Sequence, residues 1–208
     1  MRNILSPPDE RTFAGGTNDN IELLKAWAGT SLAFAIFIVG GQVLQPGFVT
    51  FLIIAAITCG IGFLLHELAH RILARNYGAE AHFVANNPWL LISIVIAFVG
   101  IFIAAPGAVW HRGYLTTRQG GMIALAGPAT NLALAVLFLG LSFLAPTGGF
   151  LTMLAFIGYQ INAWLGLFNM IPAGPFDGAK VLNWSPVVFG VTVAIAIILV
   201  FVLPRVVF

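Results

Sequence analysis

The sequence predicts an all-α polytopic membrane protein with five or six transmembrane helices and a short β or re-entrant segment after the second helix. Of the 208 residues, 60% are hydrophobic and 8% are charged, whereas an ordinary soluble domain has about 25% charged residues. Charged residues are also missing from four long stretches, at residues 26–65, 81–111, 119–176 and 181–203. Because a helix needs about 20 apolar residues to cross the hydrocarbon core, these stretches hold five or six crossings.

The same composition excludes several classes of protein. A soluble enzyme of this size needs more charge on its surface, and the net charge of +2 leaves no basic face for nucleic acid. The single cysteine, Cys59, excludes a C-x-x-C metal or redox site. We therefore expect the lipid bilayer as the surroundings and no nucleic acid partner.

The helices are expected between turn signals rich in glycine and proline. Residues 1–20 are polar and predict a cytoplasmic tail, followed by one membrane-embedded domain over residues 21–208 with its core at 48–180. The second span begins near Phe48 and continues to a glycine stop at Gly78. The other spans are expected at residues 23–43, 122–144, 150–171 and 187–202.

Residues 80–105 are ambiguous. Residues 80–84 alternate polar and apolar side chains, as a short strand does, and residues 88–105 form either a spanning helix or a hairpin that turns back near Gly100. A crossing there would divide the positive residues between the two sides of the membrane. A hairpin leaves eight of the nine on the cytoplasmic side, with only Arg205 outside. The positive-inside rule favours the hairpin.

Three ionisable residues lie at the end of the second span: His66, Glu67 and His70. Such residues are costly inside a membrane segment and are usually functional. Positions i and i+4 share one helix face, so both imidazoles can reach one metal ion while Glu67 reaches a water molecule bound to it. This is the H-E-x-x-H pattern of zinc peptidases. The alternative is a pair of interfacial histidines at a helix end.

A catalytic zinc site needs a third protein ligand, and the candidate is Asp177. It follows Pro172 and Pro175, which force irregular backbone, and irregular backbone at membrane depth lines protein or a wet cavity. The alternative is an interfacial aspartate paired with Lys180. His82 and His111 are expected to be loop or interfacial residues.

Three segments stand in order along the chain: residues 66–70 (HELAH), 127–131 (GPATN) and 169–178 (NMIPAGPFDG). In these segments, and in their order, the sequence resembles the site-2 protease family of intramembrane zinc metalloproteases. The resemblance implies one zinc ion per chain and single-span transmembrane proteins as substrates. It also implies a multi-pass location in the cell membrane.

The resemblance further assigns roles to individual residues. It implies that His66, His70 and Asp177 hold the zinc, that Glu67 is the catalytic acid and base, and that Asn169 positions the scissile carbonyl. For the helix at 127–131, Asn131 is left with either a role at the site or plain helix packing.

The expected chemistry is hydrolysis of a peptide bond in an unwound transmembrane helix, near the cytoplasmic face. We expect residues 80–84, or the edge of the 88–105 block, to pair with the unwound substrate as an added strand. Two other functions stay open, a metal-ion transporter and an inactive relative that binds membrane proteins. A transporter has no special use for Glu67.

Overall fold

The computed structural model describes residues 18–104, 107–145 and 147–207, so the predicted tail lies almost wholly outside the described residues. The helices are α1 (Asp19–Ile38), α2 (Phe48–Asn76), α3 (Asn87–Ala97), α4 (Thr117–Leu144), α5 (Phe150–Asn169), α6 (Asp177–Trp184), α7 (Pro186–Val202) and α8 (Pro204–Val207). Two strands, β1 (Glu80–Ala85) and β2 (Gly107–Arg112), form one small sheet.

The predicted class, a polytopic helical membrane protein with a small β segment, is confirmed. Within the described residues, four helices are long and apolar enough to cross a membrane: α1, α2, α4 and α5. Helix α7 has 17 residues, the lower end of the length that spans a bilayer. Large apolar side chains stay exposed on the outer helix faces, including Leu137, Phe143 and Val187, as a lipid-facing surface requires.

Helix α1 differs from its predicted span at both ends. It begins at Asp19, inside the expected tail, because Asn18 caps it by accepting a hydrogen bond from the Asn20 amide at 3.0 Å. It ends at Ile38 rather than near residue 43. Gly40 and Gly41 have φ of 58° and 78°, a left-handed conformation that ends helices and suits glycine. The span is therefore shifted by about four residues toward the N-terminus.

Helix α2 contains a π-helical turn at Ala56–Gly60, where α1 packs against it. The indole of Trp27 donates to the Ala56 carbonyl at 3.1 Å. A Cβ atom at Gly60 would lie 2.3 Å from the Ser31 hydroxyl, so glycine is needed for this close approach. The turn sets how the last turns of α2, which carry both histidines, face the rest of the bundle.

Residues 88–104 fold back on themselves, as the charge count favoured. Helix α3 has 11 residues, about 16 Å, half the thickness of the hydrocarbon core. A turn follows at Gly100, with φ of 78°, and the Ser93 hydroxyl donates to the Ile103 carbonyl of the returning chain at 3.0 Å. The strands on either side are antiparallel, with Ala85 opposite Gly107. The segment thus returns to the level where it began.

Helix α4 is the centre of the bundle and packs on α2, α5 and α6. Small residues allow these close contacts: a Cβ atom at Gly158 would lie 2.5 Å from the Phe138 ring, and one at Gly166 would lie 2.6 Å from Leu132. Tyr159 is fully buried in the core between α5 and α7, and its hydroxyl donates to the Leu199 carbonyl. This packing brings α2, α4 and α6 together at one end of the bundle.

Candidate metal centre

The structure places His66 and His70 side by side on the inner face of α2. Both are buried, and their Nε2 atoms are 2.9 Å apart. The i and i+4 spacing on a continuous helix produces this pairing. The two rings are nearly perpendicular, at 85°.

Asp177, the first residue of α6, completes the group. Its Oδ2 atom lies 3.3 Å from His66 Nε2 and 3.1 Å from His70 Nε2. A Cβ atom at Gly178 would lie 2.3 Å from the Met170 carbonyl, so glycine lets the start of α6 lie against the end of α5. Lys180 is also near, and its Nζ atom lies 4.0 Å from Asp177 Oδ1. The histidines contact the other carboxylate oxygen, Oδ2.

The hydrogen bonds at Nδ1 determine which nitrogen of each imidazole is left to bind a metal ion. His70 Nδ1 lies 2.7 Å from the Ile123 carbonyl, and His66 Nδ1 lies 2.7 Å from Asn131 Oδ1. Both partners are acceptors, so each Nδ1 carries the proton and each Nε2 of a neutral ring has a free lone pair. Two lone pairs and a carboxylate then face one another in a buried space, an arrangement that a cation stabilises.

The group fits zinc. Its three donor atoms lie within 4.8 Å of one another, and ligands at 2.0–2.1 Å from a tetrahedral zinc ion lie about 3.3 Å apart. The space is kept open by Gly127 of α4, because a Cβ atom there would lie 2.5 Å from the Nε2 atoms of both histidines. The residues therefore match a three-ligand zinc site that keeps an open position.

Comparisons with known proteins give the family. A Methanocaldococcus jannaschii protein named "Putative zinc metalloprotease" is 44% identical over 141 residues, covering 67% of this chain and 74% of that protein. The chain belongs to this metalloprotease family. Similarly named proteins are YwhC of Bacillus subtilis, 31% identical over 61% of this chain, and Rip3 of Mycobacterium tuberculosis, 32% identical over 58%. The chain spans 66% and 28% of their lengths.

No family model matches the chain. No solved structure matches it. The family assignment therefore depends on the curated relatives, and the fold is described by this structure alone.

In this metalloprotease, Glu67 is buried beside the histidine pair and in contact with the sheet. The backbone amide of Val109 on β2 lies near its carboxylate, and His66, Asp177 and Lys180 are its polar neighbours. Strand β2 therefore lies beside the side chain that the sequence predicts to be the acid and base.

Asn169 is the predicted site residue that the structure does not connect to the others. It is the last residue of α5, and its side-chain amide donates to the Leu165 carbonyl of the same helix at 3.0 Å. A contact with a scissile carbonyl would require the amide to leave this hydrogen bond. The role that the resemblance implies for Asn169 stays a prediction.

Sequence reasoning left the role of Asn131 open and missed Asn162. Asn131 is fully buried and contacts His66, so it is more than a packing residue. Its amide donates to Asn162 Oδ1 at 3.1 Å, and Asn162 is fully buried on α5. The available signal was an asparagine inside an apolar span, which needs a polar partner there.

Asp19, predicted to lie in the tail, joins three elements beside the site. Its Oδ2 atom pairs with Arg71 at 3.1 Å and Arg75 at 3.0 Å, and its Oδ1 atom lies 2.9 Å from His82 Nδ1. We call Asp19, Arg71, Arg75 and His82 the polar clasp. It ties the start of α1 to the last turns of α2 and to β1.

His82 and His111 lie on the strands, and neither belongs to the metal-binding group found among the described residues. His111 is on β2, where partial burial and the nearby charge of Lys180 lower the pKa of its imidazole below the ordinary value.

Proposed function

We propose that this chain is an intramembrane zinc metalloprotease that hydrolyses peptide bonds in or near the transmembrane helices of other membrane proteins. One observation carries the proposal. The buried group of His66, His70 and Asp177 has its two histidines on α2, a helix long and apolar enough to cross a membrane. A hydrolytic metal site in that place can act on a substrate that is itself in the bilayer.

His66, His70 and Asp177 would hold the zinc, and Glu67 would move the proton. A bound zinc ion polarises the scissile carbonyl and lowers the pKa of its water. Glu67 takes a proton from the attacking water and delivers it to the leaving amine. The Val109 amide, which lies near the Glu67 carboxylate, is placed to help orient that carboxylate during both steps.

The positive charges support a site near the cytoplasmic face. His66 is 18 residues from the start of α2 at Phe48, which is about 27 Å along the helix and close to the full hydrocarbon thickness. Six cations lie at this end of the described bundle: Lys25, Arg71, Arg75, Arg112, Arg118 and Lys180. By the positive-inside rule this end faces the cytoplasm, so water reaches the site from that side.

The substrate is proposed to bind as an extended strand, because a helical peptide bond is shielded by its own turn. The outer edge of β1, one of the two segments that the sequence suggested for this role, is already engaged: Arg75 donates to the Ala81 carbonyl at 2.5 Å, and the Ala85 amide donates to Glu22 at 3.3 Å. The opposite edge of the sheet belongs to β2, which lies beside Glu67. We therefore place the added strand along β2.

The test uses purified protein in liposomes with a panel of single-span substrates, with and without a zinc chelator. We expect cleavage that the chelator removes and that zinc restores. Glu67→Gln keeps the shape but removes the proton carrier, so cleavage should fall at least 100-fold while bound zinc is unchanged. Absence of both chelator-sensitive cleavage and bound zinc would refute the proposal.

The same preparation separates a protease from a metal-ion transporter. Zinc trapped inside the liposomes is followed with an external fluorescent indicator, for the wild type and for Glu67→Gln. We expect no zinc efflux above that of empty liposomes. Zinc movement that survives Glu67→Gln, together with no cleavage, would favour the transporter.

A further inference from the structure

We infer that Asn162 is a positioning residue for His66: acting through Asn131, it determines which ring nitrogen of His66 carries the proton. The inference rests on the proposed function, since it concerns how the imidazole is kept ready to bind zinc. It assigns a role in the site to a residue of α5 that lies outside all three sequence motifs.

The orientation of the Asn162 amide is set by its own donors. Its Nδ2 atom donates to the Gly158 carbonyl at 2.9 Å and approaches the Thr58 carbonyl at 3.4 Å. Carbonyls only accept hydrogen bonds, so the nitrogen must stay on that side. The Oδ1 atom is therefore turned toward Asn131.

The orientation of the Asn162 amide in turn determines which atom of the Asn131 amide faces His66. The Asn131 Nδ2 atom donates to Asn162 Oδ1 and to the Gly62 carbonyl, both at 3.1 Å. Two acceptors on one side leave only the Oδ1 atom to face His66 Nδ1, at 2.7 Å. An oxygen there requires a proton on Nδ1, and that tautomer leaves Nε2 free for a metal.

The packing of α2 against α5 is built for this contact. A Cβ atom at Gly62 would lie 2.3 Å from Asn162 Oδ1 and 3.1 Å from its Cγ. Any larger residue at position 62 would push the Asn162 amide away. The glycine thus provides both the space for Asn162 and the second acceptor for Asn131.

His70 lacks such a relay and serves as an internal reference. Its Nδ1 atom donates to the Ile123 carbonyl, and a backbone carbonyl cannot turn around to present a donor. Loss of Asn162 would remove one of the two acceptors that hold the Asn131 NH₂ group away from His66. The Asn131 amide would then turn more often than in the wild type and favour the other tautomer of His66. The two histidines should therefore respond differently to one substitution.

The experiment compares Asn162→Leu with Thr58→Val in the full-length protein. Thr58 is a matched control because it is fully buried beside Asn162, and its hydroxyl donates only within α2, to the Ile54 carbonyl at 2.7 Å. Nitrogen-15 NMR of labelled histidines is recorded on metal-free protein at alkaline pH, where neutral imidazoles are observed. Zinc affinity is measured by competition with a chelator.

For the wild type we expect both histidines to be protonated on Nδ1. In Asn162→Leu the His66 signals should shift toward the Nε2-protonated form while those of His70 stay unchanged, and zinc affinity should fall about tenfold or more. Thr58→Val should change neither. A purely structural role for Asn162 would move both histidines together, and that result would overturn the inference.

A second variant disturbs the hydrogen bonds that connect Asn162, Asn131 and His66 without removing the Asn162 amide. Gly62→Ala should displace Asn162 and reproduce the selective effect on His66, whereas Gly120→Ala, with no atom near the added Cβ, should have none. A wild-type His66 protonated on Nε2 would overturn the inference even if neither variant folds. Because the NMR readout uses metal-free protein, it tests the relay even if the chain cleaves no substrate.

Discussion

Replacing Gly127 with alanine should remove zinc binding while leaving the fold in place. The added Cβ atom would lie 2.5 Å from the Nε2 atoms of both His66 and His70, and 2.6 Å from His66 Cε1. A zinc ion bonded to both nitrogens would sit about 2.0–2.1 Å from each. The methyl carbon and the ion therefore compete for one position.

The size of the effect follows from the clash. Ordinary contact begins at 3.4 Å, so α4 would have to retreat by about 0.9 Å to accept the methyl group. A retreat of that size would lengthen the hydrogen bonds from α4 to both histidines and leave the ligands too far apart. Misplacement by about 1 Å costs about 100-fold in rate, and we expect at least that loss in both zinc affinity and cleavage.

Gly140→Ala is the matched control for Gly127→Ala. Gly140 lies on the same helix, and an added Cβ there meets nothing within 4 Å. Zinc content is measured by atomic emission after gel filtration, affinity by chelator competition, and folding by the thermal midpoint. Full zinc occupancy in a folded Gly127→Ala protein would refute the reasoning, because it would show that the ion lies elsewhere.

Three further predictions test the surroundings of the site. Asp19→Asn should weaken the polar clasp by about 1 kcal/mol, which lowers the thermal midpoint by about 2–4 °C; an unchanged midpoint would mean that the clasp adds no stability. Lys180→Met should raise the pKa of His111, because a nearby positive charge is removed. Histidine NMR titration measures this pKa, and a value that stays the same or falls would contradict the effect of the Lys180 charge. Val109→Pro removes the amide hydrogen that lies near the Glu67 carboxylate. It should lower kcat by about tenfold or more with zinc content unchanged, while Val109→Ala, which keeps the amide, retains kcat.

The parts of the site that the sequence predicts are those encoded by local spacing. His66, Glu67 and His70 fall within five residues of one helix, so a helical repeat is enough to bring the two imidazoles together. Asp177 was identifiable because an acid after two prolines, in a half of the chain that is poor in charge, needs a cation. The structure brings this carboxylate to both histidines.

The other parts depend on contacts between distant elements. The Ile123 carbonyl that orients His70 could not be predicted from the sequence, because every residue has a backbone carbonyl. Asn162 and Asn131 are 31 positions apart and meet only because α4 packs on α5. The end of α1 near residue 38 could have been predicted, because Gly40 and Gly41 are adjacent in the sequence. The apolar residues on both sides of these glycines favoured a longer span instead.

The two attachments of α4 to the histidines limit how the protein can move. His70 is held at Ile123 and His66 at Asn131, and these points are eight residues, or about 12 Å, apart along α4. Two such attachments oppose both sliding and pivoting of α4 against α2, so we expect these two helices to move together. Under the proposed function, the opening that admits a polypeptide to the metal site would therefore come from displacement of other elements around these two helices.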